Sequence, residues 1–303
     1  MSIVITGATG FIGKHLCKSF VASGHKVVAL TRNTKSAESI LGQQVECVYW
    51  DGKNTGEWQK HIDGAKAVIN LAGANLAGSL WTDNYKQKIL ASRINAGNAI
   101  VSAIKNSEKK PTVLLQGSAI GIYGNRGEEA LNETSATGSG FLADVVEQWE
   151  ASVKSVETET RVVYLRTGIV LGKGEGTLAK MELPFKLFAG GPPGNGKQWF
   201  SWIHIQDVIN AIQLLVENPK LDGAFNLTAP NPSRMEDFSK ALGKVLNRPS
   251  WLPVPAIALK LLLGEMARET VLASQNVLPK KLLENDYQFL FPDLNPALSD
   301  LYE

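Results

Sequence analysis

Three glycines, Gly7, Gly10 and Gly13, carry the clearest chemical signal in the chain. They lie in Val4-Ile5-Thr6-Gly7-Ala8-Thr9-Gly10-Phe11-Ile12-Gly13-Lys14-His15-Leu16, an apolar run that breaks into a turn and resumes as an amphipathic helix through Phe20. At this spacing Gly7 allows a tight reversal, Gly10 leaves no Cβ to hold an anion off the backbone, and Gly13 lets the helix pack closely. The N–H groups of Phe11 and Ile12, with Thr9 beside them, then face a diphosphate at the helix N-terminus.

The end of the second strand selects the dinucleotide. An NAD site usually places Asp or Glu there, to accept hydrogen bonds from the ribose hydroxyls. This chain reads Ala29-Leu30-Thr31-Arg32-Asn33, with no carboxylate. Arg32 can grip a 2′-phosphate through paired N–H donors, and Thr31 can add a hydroxyl. The expected cofactor is therefore NADP. Asp51, just past the third strand, either accepts from the adenine amino group or opens the Gly52-Lys53-Asn54 turn. Leu71, Ala72 and Gly73 follow the fourth strand and let the cofactor ribose and diphosphate pass close.

Such residues need a sheet to hold them. Strands are expected at Ile3–Thr6, Val27–Leu30, Val45–Tyr49, Ala67–Leu71 and Thr112–Gln116, and helices at Gly13–Ser23, Trp81–Asn106 and Phe141–Val156. Further strands at Arg161–Arg166 and Phe225–Thr228 complete the pattern. Continuous apolar strands alternating with amphipathic helices imply an α/β, Rossmann-type doubly wound parallel sheet. Residues 1–167, completed by about 201–229, form this core, and 168–200 with 230–303 form a smaller, discontinuous C-terminal substrate lobe. The loop Gly190–Trp199 offers Lys197 and Gln198 to a small anionic or sugar-like ligand.

Composition narrows the class. The chain has 303 residues, 44% hydrophobic and 20% charged, with a net charge of +2. That balance gives no electrostatic reason for nucleic-acid or membrane binding. No stretch is long and apolar enough to span a bilayer, and the chain opens directly on a strand, so a cytoplasmic protein is expected. Cys17 and Cys47 lack metal or redox spacing, and the four histidines form no ligand cluster, so no metal site is expected.

The motifs together resemble a known family. Thr6–Gly13, Asn70-Leu71-Ala72-Gly73, Ser118-Ala119-Ile120-Gly121-Ile122-Tyr123-Gly124 and Phe200–Asp207 are similar to landmarks of the extended short-chain dehydrogenase/reductases, the NAD(P)-dependent epimerase/dehydratase group. Trp202-Ile203-His204, Gly264-Glu265-Met266 and Pro292 resemble an atypical branch, the epimerase family proteins, with a small C-terminal domain of its own matching about 252–303. The resemblance implies further cofactor contacts from Lys88, Arg93, Ser118, Thr167, Ile169 and Val170. It also leaves open a homodimer through the two long helices.

The resemblance implies a Ser, a Tyr and a Lys for catalysis, the Lys lowering the pKa of the Tyr so that its hydroxyl can shuttle a proton. Ser118 matches the serine. Phe141 stands in place of the Tyr and Val145 in place of the Lys. The nearest phenol is Tyr123, the candidate acid/base alongside Ser118; Asp144, Glu147, Lys86 and His204 are weaker candidates. Three readings follow: an NADP-dependent oxidoreductase or epimerase with displaced catalytic groups and an unknown small substrate, a redox-responsive NADP(H)-binding module, or a scaffold.

Overall fold

The computed structural model describes residues 1–303. Seven strands form one parallel sheet: β1 (Ser2–Thr6), β2 (Lys26–Thr31), β3 (Val45–Tyr49), β4 (Ala67–Asn70), β5 (Val113–Ala119), a sixth at Arg161–Thr167 and a seventh at Gly223–Leu227. Their order is β3-β2-β1-β4-β5-sixth-seventh. The interior strands are buried on both faces, which is why they read as unbroken apolar runs. The order reverses between β1 and β4, and ligands of open α/β sheets bind at the carboxyl ends beside such a switch.

Helices cover both faces. α1 (Phe11–Ala22) buries Gly13, Leu16, Cys17 and Phe20, the positions that fall on one side at 3.6 residues per turn. Together with α6 (Ile205–Glu217) it closes one core; each fully buried side chain there, such as Leu16 or Ile212, contributes roughly 1.5–3 kcal/mol. α3 (Asp83–Asn106) closes the other face with Trp50 and Trp58. α3 starts at Asp83 because the Thr82 hydroxyl accepts from the Tyr85 N–H at 3.3 Å.

Two elements differ from expectation. The helix expected to reach Val156 stops as α4 (Phe141–Ala151), followed by a single 3₁₀ turn, Lys154–Val156. An unexpected helix, α2 (Thr34–Leu41), follows β2; it spans 8 residues and buries only Ala37. The later segments gather around a separate apolar cluster that includes Phe200, Trp202, Phe238 and Leu298. α5 (Gly176–Lys186) and α7 (Met235–Val245) bury Leu178, Phe185, Met235 and Phe238 in this cluster, and α8 (Ala256–Leu263) and α9 (Glu265–Glu269) follow in the chain.

Candidate functional site

The turn after β1 is built as its glycines require. Gly7 has φ +65°, and a Cβ there would stand 2.7 Å from the Leu71 carbonyl oxygen. A Cβ on Gly13 would collide with the Gly7 carbonyl and Ala8, so Gly13 packs against the turn itself rather than against the strand. Gly10 instead faces only the Gly7 oxygen at 3.1 Å and is exposed. It precedes α1 with no side-chain cap, leaving the first N–H groups of the helix free for an anion. Thr9 is exposed beside it. The Phe11 ring turns away and wedges against Gly172 and Gly176, where α5 begins.

A buried polar row braces this edge from below. The Thr6 hydroxyl donates to Asn70 Oδ1 at 2.7 Å, and Asn70 Nδ2 donates to Gln116 Oε1 at 2.9 Å. These residues are register partners across β1, β4 and β5, and all are fully buried. Thr6 also accepts the Ala72 N–H at 3.1 Å, which fixes the Leu71-Ala72-Gly73 segment over the glycine turn.

Arg32 is exposed just past β2, with no carboxylate within ion-pair distance. Asn33 beside it caps α2 by accepting the Ser36 N–H at 3.0 Å, and Thr31 Oγ1 accepts the Asn33 N–H at 3.2 Å. Asp51 holds its own turn: its oxygens accept from Lys53 N, Asn54 N and Asn54 Nδ2, and these bonds keep its carboxyl below its ordinary pKa. Of its two expected roles, the turn is the one the structure displays.

Arg93 reaches the carboxyl edge from α3. It is 9% exposed; its Nη1 donates to the carbonyls of Ala74 and Ile89, and its guanidinium lies 5.0 Å from the Trp149 ring. A Cβ on Gly73 would press on it at 3.1 Å. No carboxylate pairs with it, and burial lowers its pKa to about 10, which leaves it charged at neutral pH. Lys88 lies elsewhere, exposed, with only the Tyr85 ring near its Nζ at 5.8 Å. Thr167 donates to the Leu165 carbonyl at 3.1 Å. Ile169 and Val170 are half-buried in a short strand paired with Trp202–His204.

Ser118 and Tyr123, the expected catalytic pair, both make hydrogen bonds within the protein. Ser118 is 6% exposed, and its hydroxyl donates to Glu150 Oε1 at 2.6 Å. Glu150 also receives Arg166 at both oxygens, at 2.9 and 3.0 Å. Tyr123 is fully buried; its hydroxyl donates to Asn226 Oδ1 at 2.8 Å and accepts from Arg166 at 3.1 Å. Burial, opposed by Arg166, raises its pKa. Both hydroxyls thus belong to an interior network. The half-exposed residue at the end of β5 is Ala119, which has no hydroxyl.

Phe141 opens α4, with Trp81 edge-on at 5.1 Å and Lys86 Nζ 4.5 Å from its ring centroid. Lys86 pairs with Glu265 of α9 at 2.7 Å. Val145 is buried, and Asp144 and Glu147 face solvent. His204 is a cap and packing residue: it accepts the Gln206 N–H at 3.2 Å and stacks on Phe291. Gln198 is likewise committed, donating to the carbonyls of Pro193 and Val271, while Lys197 remains exposed.

A family model described as the NAD dependent epimerase/dehydratase family matches residues 3–227. The chain belongs to that family. A second model, a domain of unknown function, matches residues 254–301 of this family member. Among curated relatives, the chloroplastic epimerase family protein SDR39U1 homolog of Arabidopsis thaliana is 41% identical, covering 98% of this chain and 86% of that protein. The epimerase family protein YfhF of Bacillus subtilis is also 41% identical, covering 99% and 98%. The crystal structure of human epimerase family protein SDR39U1 with NADPH superposes with a TM-score of 0.90 at 29% identity, covering 100% and 99% of the two chains.

Three contacts around the site were not foreseen. The Glu150–Arg166 pair is one. The Lys86–Glu265 pair is another. The third is Glu269, whose Oε2 accepts the Leu142 N–H at 3.1 Å and so caps α4 from 127 residues away. Glu265 and Glu269 sit one turn apart on a five-residue helix, and nothing local in the sequence ties either to α3 or α4.

Proposed function

We propose that this protein binds NADP(H) and acts as an atypical oxidoreductase or epimerase on a small carbonyl, hydroxyl or sugar-nucleotide-like substrate. One observation carries the cofactor choice: the exposed, unpaired Arg32 where an NAD site would carry an acid. The NADPH of the human relative supports it. Gly7, Gly10, Gly13 and the N–H groups of Phe11 and Ile12 would hold the diphosphate, and Thr31 and Arg32 the 2′-phosphate. Arg93 would supply the counter-charge deeper in the cleft, since a buried cation without an anion calls for one from a ligand. The nicotinamide would supply or accept a hydride.

A second reading, a non-catalytic NADP(H)-binding module, is favoured by one fact. No hydroxyl-bearing side chain of the expected set faces the start of α4. Calorimetric titration with NADPH and NADH, followed by a turnover screen, separates the two readings. Arg32→Ala is expected to weaken NADPH by about 1.5–3 kcal/mol, the size of a charge-assisted contact, and to leave NADH nearly unchanged. Equal losses for both nucleotides would refute the NADP assignment.

A further inference from the structure

α3 and α4 meet in two places where a cation of α3 lies over a ring of α4. In one, the Arg93 guanidinium stands 5.0 Å from the Trp149 ring. In the other, nearer the start of both helices, Lys86 Nζ stands 4.5 Å from the centroid of the Phe141 ring. Lys86 and Arg93 are two helical turns apart, so they share one face of α3. Both helices follow strands of the parallel sheet, α3 after β4 and α4 after β5, so both begin at its carboxyl edge. That is the edge where ligands of such sheets bind. Lys86 thus lies on the Arg93 face, about 10 Å further out along the axis at the helical rise per residue.

Lys86 has a proton to give there. An ammonium group carries three N–H donors and no acceptor. One N–H goes to Glu265 Oε2 at 2.7 Å, and the Phe141 ring takes the charge from a second side. The Lys86 side chain keeps 25% of its surface exposed. An ion pair open to water adds little stability, so the main effect of Glu265 is to fix where Nζ stands.

The other titratable groups near Phe141 are spent or turned away. The Tyr85 hydroxyl donates to the Asn75 carbonyl at 2.5 Å. Glu269 accepts the Leu142 N–H at 3.1 Å. Asp144 and Glu147 point into solvent from α4.

We propose that Lys86 is the catalytic acid of this site, standing over the Phe141 that replaces the expected tyrosine, and that Glu265 is its positioning residue. This rests on the NADP(H) reading above and names the proton donor for it. In the reduction of a carbonyl, a C–H bond of the dihydronicotinamide breaks, and its electron pair forms the new C–H bond at the carbonyl carbon. An N–H bond of Lys86 breaks as its proton joins the carbonyl oxygen. The alcohol and oxidised nicotinamide leave, and the neutral amine regains a proton from water.

The test follows NADPH oxidation by the NADPH-saturated protein with isatin and acetophenone as carbonyl probes. Lys86→Ala is expected to lower kcat roughly a hundredfold, the range of a general acid, with NADPH affinity and melting temperature unchanged. Added methylamine should then raise the rate of this variant about tenfold, since a free amine can supply the missing proton. Lys86→Arg keeps the charge but does not release a proton, so it should be as slow as Lys86→Ala. Glu265→Gln should lower kcat about tenfold through misplacement of Nζ, with no gain from methylamine. A readout without turnover is calorimetric titration of the NADP⁺-saturated protein with isatin, which Lys86→Ala should weaken about fivefold. Full activity of Lys86→Arg, no rescue by methylamine, or unchanged isatin affinity in Lys86→Ala overturns the proposal. So does an NADPH-saturated wild type that reduces neither probe. A wild type that does not bind NADPH sinks the cofactor reading instead.

Discussion

Two arginines lie against consecutive residues of α4 and differ in one respect. Arg166 is clamped by both oxygens of Glu150, which also holds Ser118. Arg93 lies over the ring of Trp149 and meets only backbone carbonyls. Both are largely buried. The paired arginine completes the fold and has nothing left to offer a ligand. The unpaired one carries an uncompensated charge at the cofactor edge, which a bound anion would compensate. At this edge of the sheet the two arginines differ in having or lacking a carboxylate partner.

The contrast can be broken by removing each anchor. Glu150→Ala should cost the most, about 3–5 kcal/mol of unfolding free energy, because it strands Arg166 with no counter-charge; urea melts measure it. If the loss were under ~1 kcal/mol, the network would not be structural. Arg93→Met should do the reverse. Stability should change little, while NADPH should weaken by about 3 kcal/mol, the upper end for a charge-assisted contact. A stability loss matching that of Glu150→Ala, with unchanged NADPH affinity, would erase the distinction. Ser118→Ala removes one hydrogen bond to a charged group and should cost about 1.5 kcal/mol in stability, leaving NADPH affinity intact. A large affinity loss would return Ser118 to the cofactor site.

The smallest effect is a pH dependence at His204. Burial is the main cause holding its pKa below the ordinary value, against the pull of Asp300 and Asp207. The folded state therefore prefers neutral imidazole. Its stability contribution is present above the unfolded pKa of about 6.5 and declines as pH falls through it. Thermal melts between pH 7.5 and 5.5 should show a decline that His204→Gln flattens. An unchanged slope in the variant would assign the decline to other groups.

The turn after β1 was legible as a turn because Gly10 and Gly13 meet only the turn itself, although Gly7 also meets the Leu71 carbonyl far along the chain. The catalytic end was not. Ser118 was expected just past the fifth strand, but it lies inside β5, and its hydroxyl donates to Glu150, 32 residues on. Tyr123 was the only phenol in range, and only the fold shows it closed over by Asn226 and Arg166. α2 escaped because it is only eight residues long, although Ala37, Ile40 and Leu41 do recur at helical spacing. Lys86 was in view, but its partner lies 179 residues away and no spacing rule links them.

The cap on α4 has a consequence for the order in which the protein is made. Synthesis runs from the amino end, so β1 to β5 and α4 leave the ribosome before Glu269 exists. The glycine turn can close on its own neighbours at once. The start of α4 waits for a carboxylate 127 residues downstream, and Ala130–Leu131 waits for Asn276–Val277 to pair with it. A nascent chain therefore makes the glycine turn well before it completes the wall beside Phe141.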